Sequence, residues 1–204
     1  MTIPARSAVP PGAAPPRTLV AVGASLGGIA ALRQVLGGLP ADFPGAVLVV
    51  QHLDPRSPSS LAAVLAPCTA LEVRPAADGE TMREGVVYVA PPGRHLEVDA
   101  AGAIVLSDGP RVHFSRPAVD VLFASVAEEF AARVVAVVLT GRLGDGAAGV
   151  VRVHDRGGVV IAQDPAGAAA AGMPESSIAT GTVDHVLALD RIAPELVRIA
   201  GKRA

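Results

Sequence analysis

The sequence predicts an α/β fold, a doubly wound and mostly parallel sheet flanked by helices, with an appended antiparallel β-hairpin. From Thr18 onward, short β-branched runs alternate with Ala- and Leu-rich stretches whose apolar residues recur at helical spacing. The runs Ala46–Gln51 and Val134–Leu139 are almost wholly apolar, as strands buried on both faces of a sheet are. With 204 residues, half of them hydrophobic, the chain suits one domain with a sizeable core.

The first part of the chain predicts two strand–helix pairs. The elements are a strand at Leu19–Gly23, a helix at Gly27–Leu39, a strand at Ala46–Gln51 and a helix at Ser57–Cys68. In the first helix Ile29, Leu32 and Val35 fall near one face, and Gly37 ends the periodic pattern. Ser57 is the candidate N-cap of the second helix.

The middle and the C-terminal part add the hairpin and three further strand–helix alternations. A strand at Val86–Ala90 precedes a hairpin made of Leu96–Asp99 and Ile104–Ser107. The remaining predicted elements are a helix opened by Arg116-Pro117, a strand at Val134–Leu139, a helix at Gly146–Arg156, a strand at Val159–Ala162, a short helix at Pro174–Ala179, a strand at Val186–Leu189 and a helix at Ala193–Ala200. The Ala-rich segment Asp164–Gly172 fits either a loop or a helix.

Composition excludes several classes of function. The net charge of −2 shows no basic footprint for nucleic acid or anionic membranes, and 2% aromatic residues leave few rings to stack on bases. The lone Cys68 excludes an intrachain disulfide and a thiolate metal cluster. Lys202 is the only lysine, so Schiff-base enzymes and lysine-dependent phosphate loops lack their central residue.

The N-terminal residues 1–17 are rich in Pro and Ala, and we expect a disordered tail followed by a single domain at residues 18–204. The tail has no continuous apolar core of the kind a signal peptide needs. Apolar runs stay far below the roughly 20 residues that span a bilayer. A cytoplasmic protein without direct membrane insertion is the expectation.

Gly23-Ala24-Ser25-Leu26-Gly27 fits the pattern G-x-S-x-G, in which glycines allow a sharp turn that presents a serine between strand and helix. The predicted strand before it and helix after it suit a nucleophile. The alternative is a glycine-rich turn in which the Ser25 hydroxyl only caps the helix.

A serine nucleophile needs a base, and His52 directly follows the second buried strand. Parallel strands deliver their carboxyl ends to one edge of the sheet, so His52 is expected beside Ser25. The other histidines lack that placement, and surface or capping roles are expected for them: His95, His113, His154 and His185.

A third group must orient the imidazole, and Asp145 is the only carboxylate in the polar loop that follows the strand ending at Leu139. Its alternative role is an N-cap of the next helix. The first turn also fits a short-chain dehydrogenase, but that class needs a lysine four residues after its tyrosine, and Pro92 stands there relative to Tyr88.

Eight sequence blocks, in one order along Leu19–Ala200, resemble the catalytic domain of the CheB family of chemotaxis receptor methylesterases. The blocks are Val22–Gly28, Val49–Leu53, Asp78–Glu80, Tyr88–Glu97, Ser115–Ala127, Leu139–Gly149, Ala162–Pro165 and Gly172–Ile178. Carried over by position, the family's nucleophile falls on Ser25, its base on His52 and its orienting carboxylate on Asp145. The resemblance also implies oxyanion donors in the loops at Leu26 and Arg142.

The resemblance implies demethylation of glutamate γ-methyl esters on the cytoplasmic helices of methyl-accepting chemoreceptors, with no metal or cofactor. Deamidation of glutamine and the oligomeric state stay open. The alternative is a receptor-binding module of the same fold, non-catalytic or of altered specificity, with Arg142 facing an acidic helix.

Three residues depart from the family pattern: Leu26 follows the nucleophile, and Arg142 and Leu143 stand where the family has Met and Gly. These changes put substrate choice in doubt. The family's regulated members carry an N-terminal receiver domain, and we expect none here, hence no control by phosphorylation in cis.

Overall fold

The computed structural model describes residues 15–52 and 61–203, and within them seven parallel strands form one sheet. The strands of the described residues are β1 (Leu19–Ala24), β2 (Ala46–Gln51), β3 (Glu72–Pro75), β4 (Val86–Val89), β5 (His95–Val98), β6 (Ile104–Ser107), β7 (Val134–Val138), β8 (Val159–Gln163) and β9 (His185–Leu187), and β5 and β6 lie outside the seven-stranded sheet. The helices are α1 (Gly28–Gly37), α2 (Leu61–Leu65), α3 (Val119–Phe130), α4 (Ala147–Asp155), α5 (Gly172–Ile178) and α6 (Leu189–Gly201). The predicted α/β fold is confirmed.

The strand order β3-β4-β2-β1-β7-β8-β9 places β1 at the centre, between β2 and β7. Every residue of these three strands is buried, which explains their continuous apolar runs. In register, Ala24 pairs with Gln51 and Gly23 pairs with Val138. The carboxyl ends of β1, β2 and β7 therefore meet at one edge of the sheet. From β1 the strand order runs to β2 on one side and to β7 on the other, and α/β proteins form their binding and active sites at such a switch point.

Two apolar layers cover the two faces of the sheet. On one face, α3 buries Leu122, Phe123 and Val126 against the side chains of β1 and β7. On the other, α1 and α6 bury residues such as Leu32 and Leu196. The alternation of side chains along β1 supplies both layers, because successive residues of a strand point to opposite faces.

The hairpin of β5 and β6 is present as predicted and forms a separate two-stranded antiparallel sheet beside α3. The edge strand β3 escaped prediction, because its partly exposed EVRP segment lacks the apolar run that marks the central strands. Helix α6 begins at Leu189, four residues earlier than predicted, and tolerates Pro194 within it. Ile29 was expected on the buried face of α1 but is exposed.

Some sequence predictions fall outside the described residues. Ser57, the proposed N-cap, is among them, and the described helix there covers Leu61–Leu65, followed by a 3₁₀ turn at Ala66–Cys68. Of the N-terminal tail, Pro15–Arg17 is described, and Pro16 is buried. Within the described ranges, no helix has the length and apolar character that a membrane span requires.

Candidate active site

Ser25 lies in the turn between β1 and α1. Its main-chain N–H donates to Thr140 O at 2.9 Å, and its carbonyl accepts from Gly28 N at 2.9 Å. Gly27, with φ of 79°, is the N-cap of α1, and no side chain of the described residues makes an N-cap hydrogen bond to this helix. The structure therefore contradicts the alternative in which the Ser25 hydroxyl is a helix cap, and it leaves that hydroxyl beside an open pocket.

His52 follows β2 and is tied to the serine turn by main-chain and side-chain contacts. The main-chain N–H of His52 donates to Ala24 O at 3.0 Å. The buried Gln51 amide donates to both Ser25 O at 2.8 Å and His52 O at 2.9 Å. Gln51 thus holds the serine and histidine backbones together, a role that sequence reasoning missed although Gln51 ends a buried strand.

His52 and Asp145 form a close pair. His52 Nε2 lies 2.7 Å from Asp145 Oδ2, with the histidine side chain 18% exposed and the aspartate 2%. Asp145 also accepts the N–H groups of Val119 at 2.8 Å and Asp120 at 2.9 Å, at the first turn of α3. The expected alternative, an N-cap for α4, is wrong: the N-cap there is Gly146, and the side chain that accepts its N–H is that of Asp120. Asp145 caps α3 instead.

The environment of Asp145 keeps it ionised. Burial by itself raises the pKa of this carboxyl. The hydrogen bond from His52 and those from the Asp120 and Val119 N–H groups outweigh burial, so the pKa lies below its ordinary value of 3.8. An ionised carboxylate accepts only, so in the neutral imidazole Nε2 carries the proton that Asp145 accepts and Nδ1 carries the lone pair.

An open pocket of about 520 Å³ lies over this arrangement. Ser25 and His52 both line it, together with the exposed apolar side chains of Leu26 and Ile29. The pocket wall explains why Ile29 faces away from the core. Arg142 is exposed and does not line this pocket.

The loop after β7 packs tightly against the serine turn. Thr140 Oγ1 donates to Leu26 O at 2.9 Å, and Gly141 N donates to Ala170 O at 2.9 Å. A Cβ on Gly141 would lie 2.8 Å from Ser25 Cβ and 2.1 Å from Met173 Sδ, so only glycine fits. Within the described part of the chain, the N–H groups of Leu26 and Arg142 donate to no protein acceptor.

Three of the other histidines lie away from this site. His95 is buried, donates to Pro110 O and accepts the Ala118 N–H, a capping role close to that predicted. His154 lies near Asp184, and His185 near Glu195. His113 is different: its Nε2 lies 3.0 Å from Asp120 Oδ2, next to Asp145. Sequence reasoning missed this placement, because it depends on a turn far from Asp145 in the chain.

His113, Asp120 and Asp145 bring ligand atoms within 4.8 Å of one another, a spacing that suits a cation. Each carboxylate oxygen already accepts an N–H group. Asp145 is held by His52 and the start of α3, while Asp120 accepts from Gly146, Gly149 and His113. These carboxylate oxygens serve as hydrogen-bond acceptors for N–H groups, so we assign no metal-binding role to these three residues.

Comparison with known proteins gives one consistent result. A family model described as CheB methylesterase matches residues 20–196. A protein-glutamate methylesterase/protein-glutamine glutaminase of Symbiobacterium thermophilum is 45% identical over 187 residues, covering 92% of this chain and 52% of that protein. A putative protein of the same name from Leptospira interrogans is 37% identical over 180 residues, covering 88% of this chain and 93% of that protein.

A solved structure, the Thermotoga maritima CheB methylesterase catalytic domain, superposes with a TM-score of 0.86 at 36% identity. The match covers 89% of this chain and 98% of that one. The chain spans about half the length of several curated relatives that it matches. On the fold, the family model and these relatives, the chain belongs to the CheB methylesterase family.

Proposed function

We propose that this chain is a serine hydrolase that removes methyl groups from glutamate γ-methyl esters on the cytoplasmic helices of chemoreceptors. One observation carries the proposal: the buried 2.7 Å pair of His52 and Asp145 at the pocket that Ser25 also lines. The choice of a glutamate methyl ester, with a glutamine amide as second substrate, comes from the names of the relatives, protein-glutamate methylesterase/protein-glutamine glutaminase. Such a substrate implies action in the cytoplasm and a receptor helix as the partner.

The proposed reaction builds on the hydrogen bond between His52 and Asp145 and on the pocket that Ser25 and His52 both line. His52 Nδ1 takes the proton of the Ser25 hydroxyl while Oγ bonds to the ester carbonyl carbon. The carbonyl oxygen becomes an oxyanion, and the N–H groups of Leu26 and Arg142 are the proposed donors to it, since no acceptor among residues 15–52 and 61–203 binds them. Asp145 stabilises the imidazolium throughout.

The second half of the reaction reuses the same groups. His52 returns the proton to the departing methoxide, which leaves as methanol with an acyl-enzyme on Ser25. A water molecule then attacks the acyl carbon as His52 takes its proton. The bond from that carbon to Ser25 Oγ breaks as His52 gives the proton to Oγ, and the free glutamate is released. The same steps on a glutamine side chain release ammonia, the second activity in the relatives' names.

The test is release of methanol from a methylated chemoreceptor cytoplasmic fragment, with ammonia measured in parallel. Ser25→Ala is expected to abolish both products at an unchanged melting temperature, because this half-buried turn residue contributes little packing. Ser107→Ala, in the hairpin away from the pocket, is the matched control and keeps full activity. Undiminished turnover by Ser25→Ala contradicts the proposal, and tight receptor binding without turnover by the native chain favours the binding-module alternative.

A further inference from the structure

We infer that Asp120 and His113 form a positioning pair that holds Asp145 in place for the reaction proposed above. The inference rests on that proposed function. It concerns two residues that touch neither the pocket nor Ser25 but lie directly behind the carboxylate that orients His52.

Helices α3 and α4 cap each other through these two aspartates. The N-cap positions are Ala118 and Gly146, and neither helix has a cap from its own side chains. Asp145, just before α4, accepts the N–H groups of Val119 and Asp120 at the start of α3. Asp120, within the first turn of α3, accepts Gly146 N at 3.0 Å and Gly149 N at 2.7 Å at the start of α4.

This reciprocal capping of the two helices links the position of Asp145 to Asp120 in two ways. Gly146 follows Asp145 in the chain, so its hydrogen bond to Asp120 anchors the peptide directly after the orienting carboxylate. The N–H of Asp120 also binds Asp145 Oδ1, so the two side chains fix each other's backbone. Two buried carboxylates beside each other repel, and each is stabilised here by N–H groups at the positive end of a helix.

His113 completes the outer side of Asp120. It reaches Asp120 from a two-residue turn closed by hydrogen bonds between Val112 and Ser115. Both turn residues, His113 and Phe114, have positive φ, 49° and 62°, a conformation that glycine or asparagine usually provides. The Phe114 side chain is 91% exposed, so packing of that ring does not explain the turn.

Strain of this kind persists where surrounding contacts impose it, and the hydrogen bond that the His113 side chain makes to Asp120 is one of the contacts of this turn. Hydrogen bonds therefore join His113 to the Asp120 side chain, the Asp120 N–H to Asp145, and Asp145 to His52. The bond from Gly146 N to Asp120 adds a second link, through the peptide that follows Asp145. We therefore expect loss of Asp120 to displace Asp145 and to slow the activation of Ser25, with little effect on substrate binding.

The test uses a fluorophosphonate probe, whose fluoride an activated serine hydroxyl displaces, beside methanol release by the full chain. Asp120→Ala is expected to lower the labelling rate and kcat by about 10²-fold, the scale of a small misplacement in a catalytic site, with KM unchanged. Asp120→Asn keeps one carbonyl oxygen for Gly146 and Gly149 and is expected to lose less.

Asp184→Asn is the matched control. Asp184 Oδ2 accepts Val160 N at 2.7 Å and lies near His154, at the opposite edge of the sheet. We expect it to lower the melting temperature but to leave labelling and kcat unchanged. Equal losses of kcat in Asp120→Asn and Asp184→Asn, both folded at the assay temperature, would overturn the inference, as would native labelling in Asp120→Ala.

A double-mutant cycle tests the role of His113. If His113 acts through Asp120, His113→Ala lowers the labelling rate in the native chain but changes nothing in the Asp120→Ala background. Independent, additive losses contradict the pairing. A native chain that neither labels nor releases methanol overturns the proposed function and this inference with it, whereas a labelled native chain with unaffected Asp120 variants overturns the inference alone.

Discussion

Asp145 and Asp184 both accept main-chain hydrogen bonds and lie near a histidine, and they stand at opposite edges of one sheet. At the carboxyl edge, Asp145 is 2% exposed and lies 2.7 Å from His52. At the amino edge, Asp184 is 35% exposed and lies 4.0 Å from His154. The residue types are the same, but the first pair is less exposed, more closely bonded and next to a pocket that a serine lines.

The comparison teaches that burial and strand polarity, and not residue type, separate the pair proposed to act in catalysis from the pair at the amino edge. Withdrawal from water strengthens the bond between Asp145 and His52 and shields it from screening. Asp184 meets solvent, where an ion pair contributes little. Non-glycine residues with positive φ occur at both edges: Leu143, after β7, has a φ of 64°, and Ala131, shortly before β7, has a φ of 46°.

The largest expected effect is on catalysis. Asp145→Asn is expected to lower kcat for methanol release by up to about 10⁴-fold, as loss of the orienting charge does in other triads. Asp184→Asn is expected to leave kcat unchanged. Comparable kcat losses in the two variants would abolish the distinction between the edges.

The second effect is on stability as a function of pH. Because the folded-state pKa of Asp145 lies below 3.8, the ionised carboxylate stabilises the fold fully above that ordinary value. This contribution is lost as the pH falls through 3.8 towards the folded-state pKa. Urea unfolding of the native chain and Asp145→Asn is expected to show a constant difference in unfolding free energy from about pH 5 to 7 that narrows below about pH 4. A difference that does not depend on pH contradicts this assignment.

The third effect concerns backbone strain at the carboxyl edge. A non-glycine residue in the left-handed region costs about 1–2 kcal/mol, and glycine costs about 0.5–1 kcal/mol in chain entropy. Leu143 is 73% exposed, so Leu143→Gly removes little packing and is expected to stabilise the chain by up to about 1 kcal/mol. Gly157→Ala, at a φ of 77° with no close contact, is the converse control and destabilises. Thermal melting measures the stability of both variants. A melting temperature of Leu143→Gly below that of the native chain would contradict the prediction that Leu143 is strained.

The smallest effect is expected at Arg142. Its exposed charge is worth roughly 0.2–1 kcal/mol to an acidic neighbour. Arg142→Met is therefore expected to raise KM a few-fold for esters flanked by acidic residues, with kcat unchanged. The effect disappears in high salt, since screening acts over about 8–10 Å. Arg156→Met, at the far end of α4, removes the same charge without this effect. A salt-independent KM for the native chain contradicts the proposed steering.

Much of the fold could be predicted because buried parallel strands have an unambiguous sequence pattern. The strand at Ala46–Gln51 was predicted at its observed bounds, and those of β1 and β7 within one residue. The edge strand β3 was missed because an edge position requires no apolar run. The start of α6 was misplaced because the effect of Pro194 depends on how well the preceding turn packs, which local sequence does not record.

By itself, the sequence determined which residues end the central strands, and hence that Ser25, His52 and Asp145 belong to one edge of the sheet. The spacing of apolar residues and the point at which polar residues follow them are local properties of the sequence, and they suffice for that conclusion. Only the tertiary structure decided which helix Asp145 caps, that Gln51 joins the serine and histidine backbones, and that His113 and Asp120 lie behind the pair. These contacts join segments far apart in the chain, and their geometry depends on how two helices pack across the sheet, which no local pattern encodes.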